Sequence, residues 1–165
     1  MSDHSSPEQL KQVMRTWITG VAIVTSCQAG VFHGMTVNSF TSVALSPPTV
    51  MVALQKSTRT QQAVKAGRAF GVTILSIDQE TLAKRFAGQM GEDRPRFTGL
   101  ETFTLVTGVP LITGGLSHLD CQVVNGFDVG ATTVFFGEVL AVKNEADGRA
   151  PLLYFNRDWR RLANL

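Results

Sequence analysis

The sequence predicts a mainly β fold, an antiparallel β-barrel carrying a few short helices. Three observations lead there. Strand-like segments outnumber helical ones by roughly two or three to one, they arrive in hairpin-spaced groups, and closing them into a barrel leaves the fewest open edges. The chain has 165 residues and shows no internal repeat or low-complexity linker, so one domain over 1–165 is expected. Its 44% apolar content supports a core that needs no disulfide or metal.

The elements follow in order. Ser6 and Pro7 suit a helix start, and Leu10, Val13, Met14 and Trp17 recur at helical spacing, giving a short amphipathic helix that stops near Gly20. Val21 to Ser26 and Val31 to Val37, separated by Gln28-Ala29-Gly30, read as a hairpin. A strand at Ser42 to Leu45, a turn at Ser46-Pro47-Pro48 and an apolar strand at Thr49 to Leu54 come next. Ser57-Thr58 caps a helix from Arg59 to Lys65 ended by Gly67, and Ala69 to Leu75 alternates as a strand. Asp78 is expected to cap a further helix bearing Leu82, Ala83 and Phe86 and closing at Gly88. Gln89 to Gly99, rich in charge and broken by Gly91 and Pro95, is expected to be a mobile loop. Further strands are placed near Thr102 to Val106, Leu116 to Phe127, Thr132 to Val142 and Leu152 to Phe155, with a turn at Glu145 to Gly148. The tail from Arg157 reads as charged and without assignment.

Composition excludes several classes. A net charge of +2 offers no footprint for nucleic acid. No window of about 18 apolar residues and no apolar signal core lead to the expectation of a cytoplasmic protein without a membrane segment. Cys27 and Cys121 read as buried thiols, and His4, His33 and His118 lack metal-ligand spacing. Trp17 and Trp159 read as anchors for helix packing or a subunit interface. Charge distribution is more telling than its total. Between Glu8 and Asp78 there is no acidic residue, yet Lys11, Arg15, Lys56, Arg59, Lys65 and Arg68 all fall there.

Two polar clusters lie in that acid-free stretch. Thr36-Val37-Asn38-Ser39-Phe40-Thr41-Ser42 sits where one strand ends and the next begins, and Gln55-Lys56-Ser57-Thr58-Arg59-Thr60 opens a helix. Hydroxyls, a carboxamide, N–H groups at a helix N-terminus and two cations are what a phosphate needs. The same residue types also populate turns and caps for local reasons, and spacing alone does not separate the two readings.

The order of residues then resembles a known family. Gly34 to Val43, Pro47-Pro48, Lys56 to Thr60, Phe70 to Ser76, Gln79 to Phe86, Phe135 to Val139 and Pro151 to Tyr154 are similar, in sequence, to the flavin reductase-like family. Its members are the small reductase components of two-component flavin monooxygenases. The resemblance implies an antiparallel Greek-key split β-barrel of the FMN-binding type, a homodimer, FMN or FAD as flavin, NAD(P)H as electron donor and a partner monooxygenase that receives reduced flavin. It implies that Thr36, Val37, Asn38 and Ser39, with Ser42 and Val43, line the flavin. Gln55, Lys56, Ser57, Arg59 and Thr60 would hold its phosphate, and Phe86 would lie against flavin or nicotinamide.

Two departures fall on the nicotinamide side. Where many members have Gly-Asp-His, this chain reads Gly130-Ala131-Thr132, and Phe155 stands where many have a histidine after the tyrosine. Thr132, Phe155 and Arg157 are therefore the candidate nicotinamide-side residues. No catalytic acid or base is expected, because hydride transfer asks for stacked rings and fixed hydrogen bonds. Two alternatives stay open: a flavin-binding electron carrier without efficient NAD(P)H turnover, and an oxidase of pyridoxal-phosphate type on a related barrel.

Overall fold

The computed structural model describes residues 5–91, 95–145 and 147–162. Seven strands form one antiparallel sheet: β2 (Ala22–Gln28), β3 (Val31–Val37), β4 (Thr41–Leu45), β5 (Pro48–Gln55), β6 (Ala69–Ile74), β9 (Ser117–Val129) and β10 (Thr132–Asn144). Their order across the sheet is β3-β2-β6-β9-β10-β5-β4. Thus β3 and β4, consecutive in the chain, end on opposite edges and the barrel stays split between them. Ser39 spans the gap: its hydroxyl donates to the Ala53 carbonyl at 2.8 Å and accepts from the Ala53 N–H at 3.3 Å.

Two small sheets complete the fold. One joins β1 (Thr19–Gly20) to β11 (Leu153–Phe155) and β12 (Asp158–Arg160), and the other pairs β7 (Thr102–Phe103) with β8 (Leu111–Ile112). Three helices are present among the described residues: α1 (Pro7–Met14), α2 (Arg59–Gly67) and α3 (Glu80–Phe86).

Core packing explains the apolar run in β2. Ala22 and Val24 point into the barrel with Val52, Leu54, Phe70 and Val72, whereas Val21 and Ile23 pack on the other face with Leu75, Phe86 and Leu152. A strand apolar on both faces needs no polar alternation. Barrel curvature comes partly from register shifts in β10 at Phe136/Gly137 and Val139/Ala141. At Gly137 a Cβ would stand 2.6 Å from the Phe70 ring, so only glycine admits that ring.

Several expectations are corrected here. Ser76, not Asp78, caps the third helical segment, because Gln79 reaches back to the Ser76 N–H at 3.0 Å and Asp78 lies inside a 3-10 turn (Ile77–Gln79). Cys27 is half-buried; Cys121 is buried. Leu10, Val13 and Met14 of α1 are 59%, 65% and 52% exposed, so the apolar face of that helix is uncovered in the single chain. Of the expected mobile loop, residues 92–94 lie outside the described residues, while Phe97 packs edge-on against Phe86 with ring centroids 5.1 Å apart. The Arg85 guanidinium donates to the carbonyls of Pro95 and Thr98, fastening that end of the loop to α3.

Candidate active site cleft

Two clefts meet on the side where β3 ends. The first, of about 180 Å³, is walled by Thr36, Val37 and Asn38, by Ala87 just beyond α3, and by Tyr154 and Trp159. The second, of about 170 Å³, is formed by Arg15 and Trp17 after α1, by Asn38 and Tyr154 again, and by Phe155 and Arg157. Asn38 and Tyr154 are common to both, so the clefts adjoin.

Each wall is fixed by a local cause. Thr36 donates its hydroxyl to the Ala83 carbonyl at 2.7 Å, which locks β3 to the last turn of α3. Tyr154 and Trp159 face each other across the β11–β12 pair with centroids 5.1 Å apart, an edge-to-face contact that stiffens the aromatic wall. The turn between those strands is Asn156-Arg157, with φ of 51° and 62°. Left-handed conformation at two successive residues is the geometry of a two-residue hairpin turn, normally given to Asn-Gly. Its Asn156 N–H donates to the Arg15 carbonyl at 3.1 Å and so pins the end of α1 beside the second cleft.

The second polar cluster is arranged differently. Thr58 caps α2, accepting from the Gln61 N–H at 3.2 Å. Lys56 turns to the β9–β10 hairpin, pairing with Asp128 at 3.0 Å and donating to the Gly130 carbonyl at 2.9 Å. The network runs inward, since Gln61 donates to the Thr133 hydroxyl and Thr133 donates to Asp128 at 2.7 Å. The Thr133 hydrogen bond, with Lys56, holds the Asp128 carboxyl below the ordinary carboxylate range. Burial and, next, the Arg59 charge lower the pKa of His33.

Thr36, Val37, Asn38, Phe155 and Arg157 are brought together around the two clefts. Gln55, Lys56, Ser57, Arg59 and Thr60 line neither, nor do Ser42 and Val43 on the exposed edge strand β4. Thr132 pairs with Gln55 where β10 runs antiparallel beside β5, next to Lys56, and lines neither cleft. Phe86 is fully buried between Gly34 and Phe97 and presents no face to either cleft. Sequence reasoning passed over Tyr154 and Trp159 as cleft walls. Tyr154 stood in a quoted family segment, whereas Trp159 sits in a charged tail whose strand β12 is only three residues long.

Comparison with known proteins decides the relationship. The profile described as "Flavin reductase like domain" matches residues 14–163. The chain belongs to the flavin reductase-like family. It is 35% identical over 147 residues to the NADH-dependent flavin reductase StyB of Pseudomonas fluorescens, covering 88% of this chain and 84% of that one. It is also 35% identical over 162 residues to the NADH-dependent FAD reductase of Streptomyces globisporus, with 94% and 85% covered. Among solved structures, the NADH:FAD oxidoreductase SgcE6 of Streptomyces globisporus, in complex with NAD and FAD fragments, superposes with a TM-score of 0.86. The two are 32% identical, over 98% of each chain. Split-barrel flavin reductases are therefore the structural neighbours, as the open seven-stranded sheet already implied.

Proposed function

We propose that this protein is an NADH-dependent flavin reductase that supplies reduced flavin to a partner monooxygenase. The observation that carries the proposal is the first cleft: apolar walls of Val37, Tyr154 and Trp159 beside the exposed amide of Asn38, in a chain related to reductases of FAD and of FMN. A flavin bound there supplies the electron-accepting ring. The chain's own part is to hold that ring flat, to exclude water from it and to offer Asn38 as a hydrogen-bond partner at its polar edge. Among the described residues, no hydrogen bond occupies the Asn38 side chain, so it fits such a role. Arg59 and the N–H groups at the start of α2 form a second anion-binding element for the flavin phosphate. No proton-transfer residue is required.

The reading includes a homodimer and a cytoplasmic location. Dimerisation is supported by the uncovered face of α1 and by Val124, Phe127 and Val129, all at least half exposed on β9. Sedimentation of a monomer at micromolar concentration would count against it. The function itself is tested by mixing purified protein with NADH, with and without FMN or FAD, and following the nicotinamide absorbance. Flavin-dependent oxidation is expected; none with either flavin would leave only the electron-carrier reading.

A further inference from the structure

One wall of the first cleft belongs to neither a strand nor a helix. Ala87 and Gln89 line it from just beyond α3, and between them Gly88 takes φ of 73°, the left-handed conformation that ends a helix. The turn is closed on α3 by its own backbone. The Gly88 N–H donates to the Arg85 carbonyl at 3.2 Å, and the Gln89 N–H donates to the Lys84 carbonyl at 3.0 Å. Those bonds fix the turn to the helix but not the helix to the facing wall, Val37 and Asn38 at the end of β3. The width of the cleft depends on what joins α3 to β3.

Two ties do so. Thr36 donates to the Ala83 carbonyl at 2.7 Å beside the cleft, and residues 95–100 form a strap behind it. Arg85 donates from α3 to the strap carbonyls of Pro95 and Thr98, at 3.1 and 2.7 Å. Arg96 donates from the strap to the Gly34 carbonyl of β3 at 2.9 Å, supplying a donor at an edge where no further strand pairs. Phe97, next in sequence, seats the strap edge-on against Phe32 with ring centroids 5.7 Å apart. The half-buried Arg96 also reaches the turn: a Cβ placed on Gly88 would stand 3.4 Å from its Nη2. One guanidinium thus bridges β3, two residues before Thr36, and the turn that carries Ala87 and Gln89. Its nitrogens are fixed in one plane, so a bond made by one of them sets the place of the others.

We propose that Arg96 is a positioning residue of the flavin cleft: it holds the Ala87–Gln89 turn at a set distance from β3 and so tightens flavin binding without touching flavin. The inference rests on the reductase reading, since it takes the first cleft to hold a flavin ring. Arg96 lines neither cleft, so its effect passes through the wall that it braces. That effect falls on binding and not on chemistry. Hydride transfer to a bound flavin depends on the ring's contacts with Asn38, Tyr154 and Trp159, and Arg96 makes none of them. The loss of the brace should appear in KM for flavin and leave kcat.

The test uses the full chain. Arg96→Met keeps the length of the side chain and removes its donors. Its Kd for FMN, read by flavin fluorescence without turnover, and its KM for FMN with NADH should both rise about tenfold, the size of one charge-assisted hydrogen bond. At saturating FMN its kcat should stay within about twofold of the parent's. Riboflavin, which has no phosphate, should lose affinity by the same factor, because a displaced wall acts on the ring. Arg96→Lys, with one point donor in place of the planar group, should fall between the parent and Arg96→Met, and it carries the test if the methionine variant does not fold. FMN binding equal to the parent's in a folded variant overturns the inference and leaves the reductase reading intact. So does a loss seen for FMN and absent for riboflavin, which would make Arg96 a direct phosphate contact, or a fall in kcat with KM unchanged. A parent protein that binds no flavin overturns the reductase reading and this inference together, and the parent titration alone tells that case apart.

Discussion

Substitution at Phe86 tests where the family's apolar helix residue belongs in this chain. The ring is fully buried, and Gly34 faces it so closely that a Cβ there would lie 2.8 Å from one ring carbon and 3.1 Å from the next, with Phe97 at 3.1 Å. Removing the ring in Phe86→Ala deletes a whole buried aromatic side chain and should cost about 3–5 kcal/mol, a third or more of a typical domain's stability. For a chain of this length, that corresponds to a fall in Tm of roughly 10 °C. Gly34→Ala overpacks the same site and should cost about 1–3 kcal/mol. In the pair Gly34→Ala with Phe86→Leu, the added methyl meets a smaller, more yielding side chain, so the combined loss should be less than the sum. Urea denaturation of the four proteins supplies the cycle, and flavin titration of the Phe86→Leu variant supplies the control, expected within about twofold of the parent because the ring reaches no cleft. Additive losses, or a Phe86→Leu protein that keeps its stability while losing flavin, would refute this placement.

Further expectations concern other parts of the molecule. Asp120 is fully buried and accepts from the Val106 N–H at 2.7 Å, the Thr107 N–H at 2.8 Å and the Thr107 hydroxyl. Asp120→Ala should therefore destabilise by about 3 kcal/mol in urea denaturation, and Asp120→Asn by less, with NADH oxidation by the folded fraction unchanged. The neighbouring Cys121 thiol is pushed up to about 12, by burial first and then by Asp120, so thiol reagents at neutral pH should leave it unmodified until the chain unfolds. Because the folded state depresses the pKa of Asp128, the stability it contributes is fully present above its unfolded value near 4 and is lost as pH falls through the folded value. Asp128→Asn should remove that contribution at neutral pH and so flatten the acid limb of a stability profile below about pH 4, with parent and variant converging at the acid end; an unaltered acid limb would contradict the role assigned to the Lys56–Asp128–Thr133 network. Asn38→Ala should weaken flavin binding by about tenfold, while Lys84→Ala, on an exposed pair with Glu80, should not.

Local chemistry made much of the fold legible. The β2–β3 hairpin follows from β-branched runs flanking Ala29-Gly30, both of which take positive φ, and α2 begins at the Thr58 cap and ends at Gly67 as its sequence indicated. What escaped was fixed by distant partners. Strand β1 is two residues long and exists because of pairing across the chain, Thr19 with Tyr154, while β8 and β12, two and three residues long, are too short to show a pattern and form by pairing with the neighbouring β7 and β11. The same reason governs the site. Lys56 and Asp128 are far apart in sequence, so nothing near Lys56 revealed that its charge is already partnered. Asn38 and Phe155 carried their own signals, and the fold joined them. Trp159 became a cleft wall through its contact with Tyr154, its cross-strand partner in a hairpin whose Asn156-Arg157 turn carries no glycine to announce it.

The central claim is that the chain moves reducing equivalents from a nicotinamide to a flavin held at Asn38, Tyr154 and Trp159. Anaerobic titration of the purified protein with NADH in the presence of FAD or FMN tests it most directly, by following flavin bleaching against NADH consumed. The account predicts one flavin reduced per NADH with the parent chain, and a much slower reaction with Asn38→Ala at subsaturating flavin. Bleaching no faster than in protein-free solution, or an Asn38→Ala rate equal to the parent's, would contradict it.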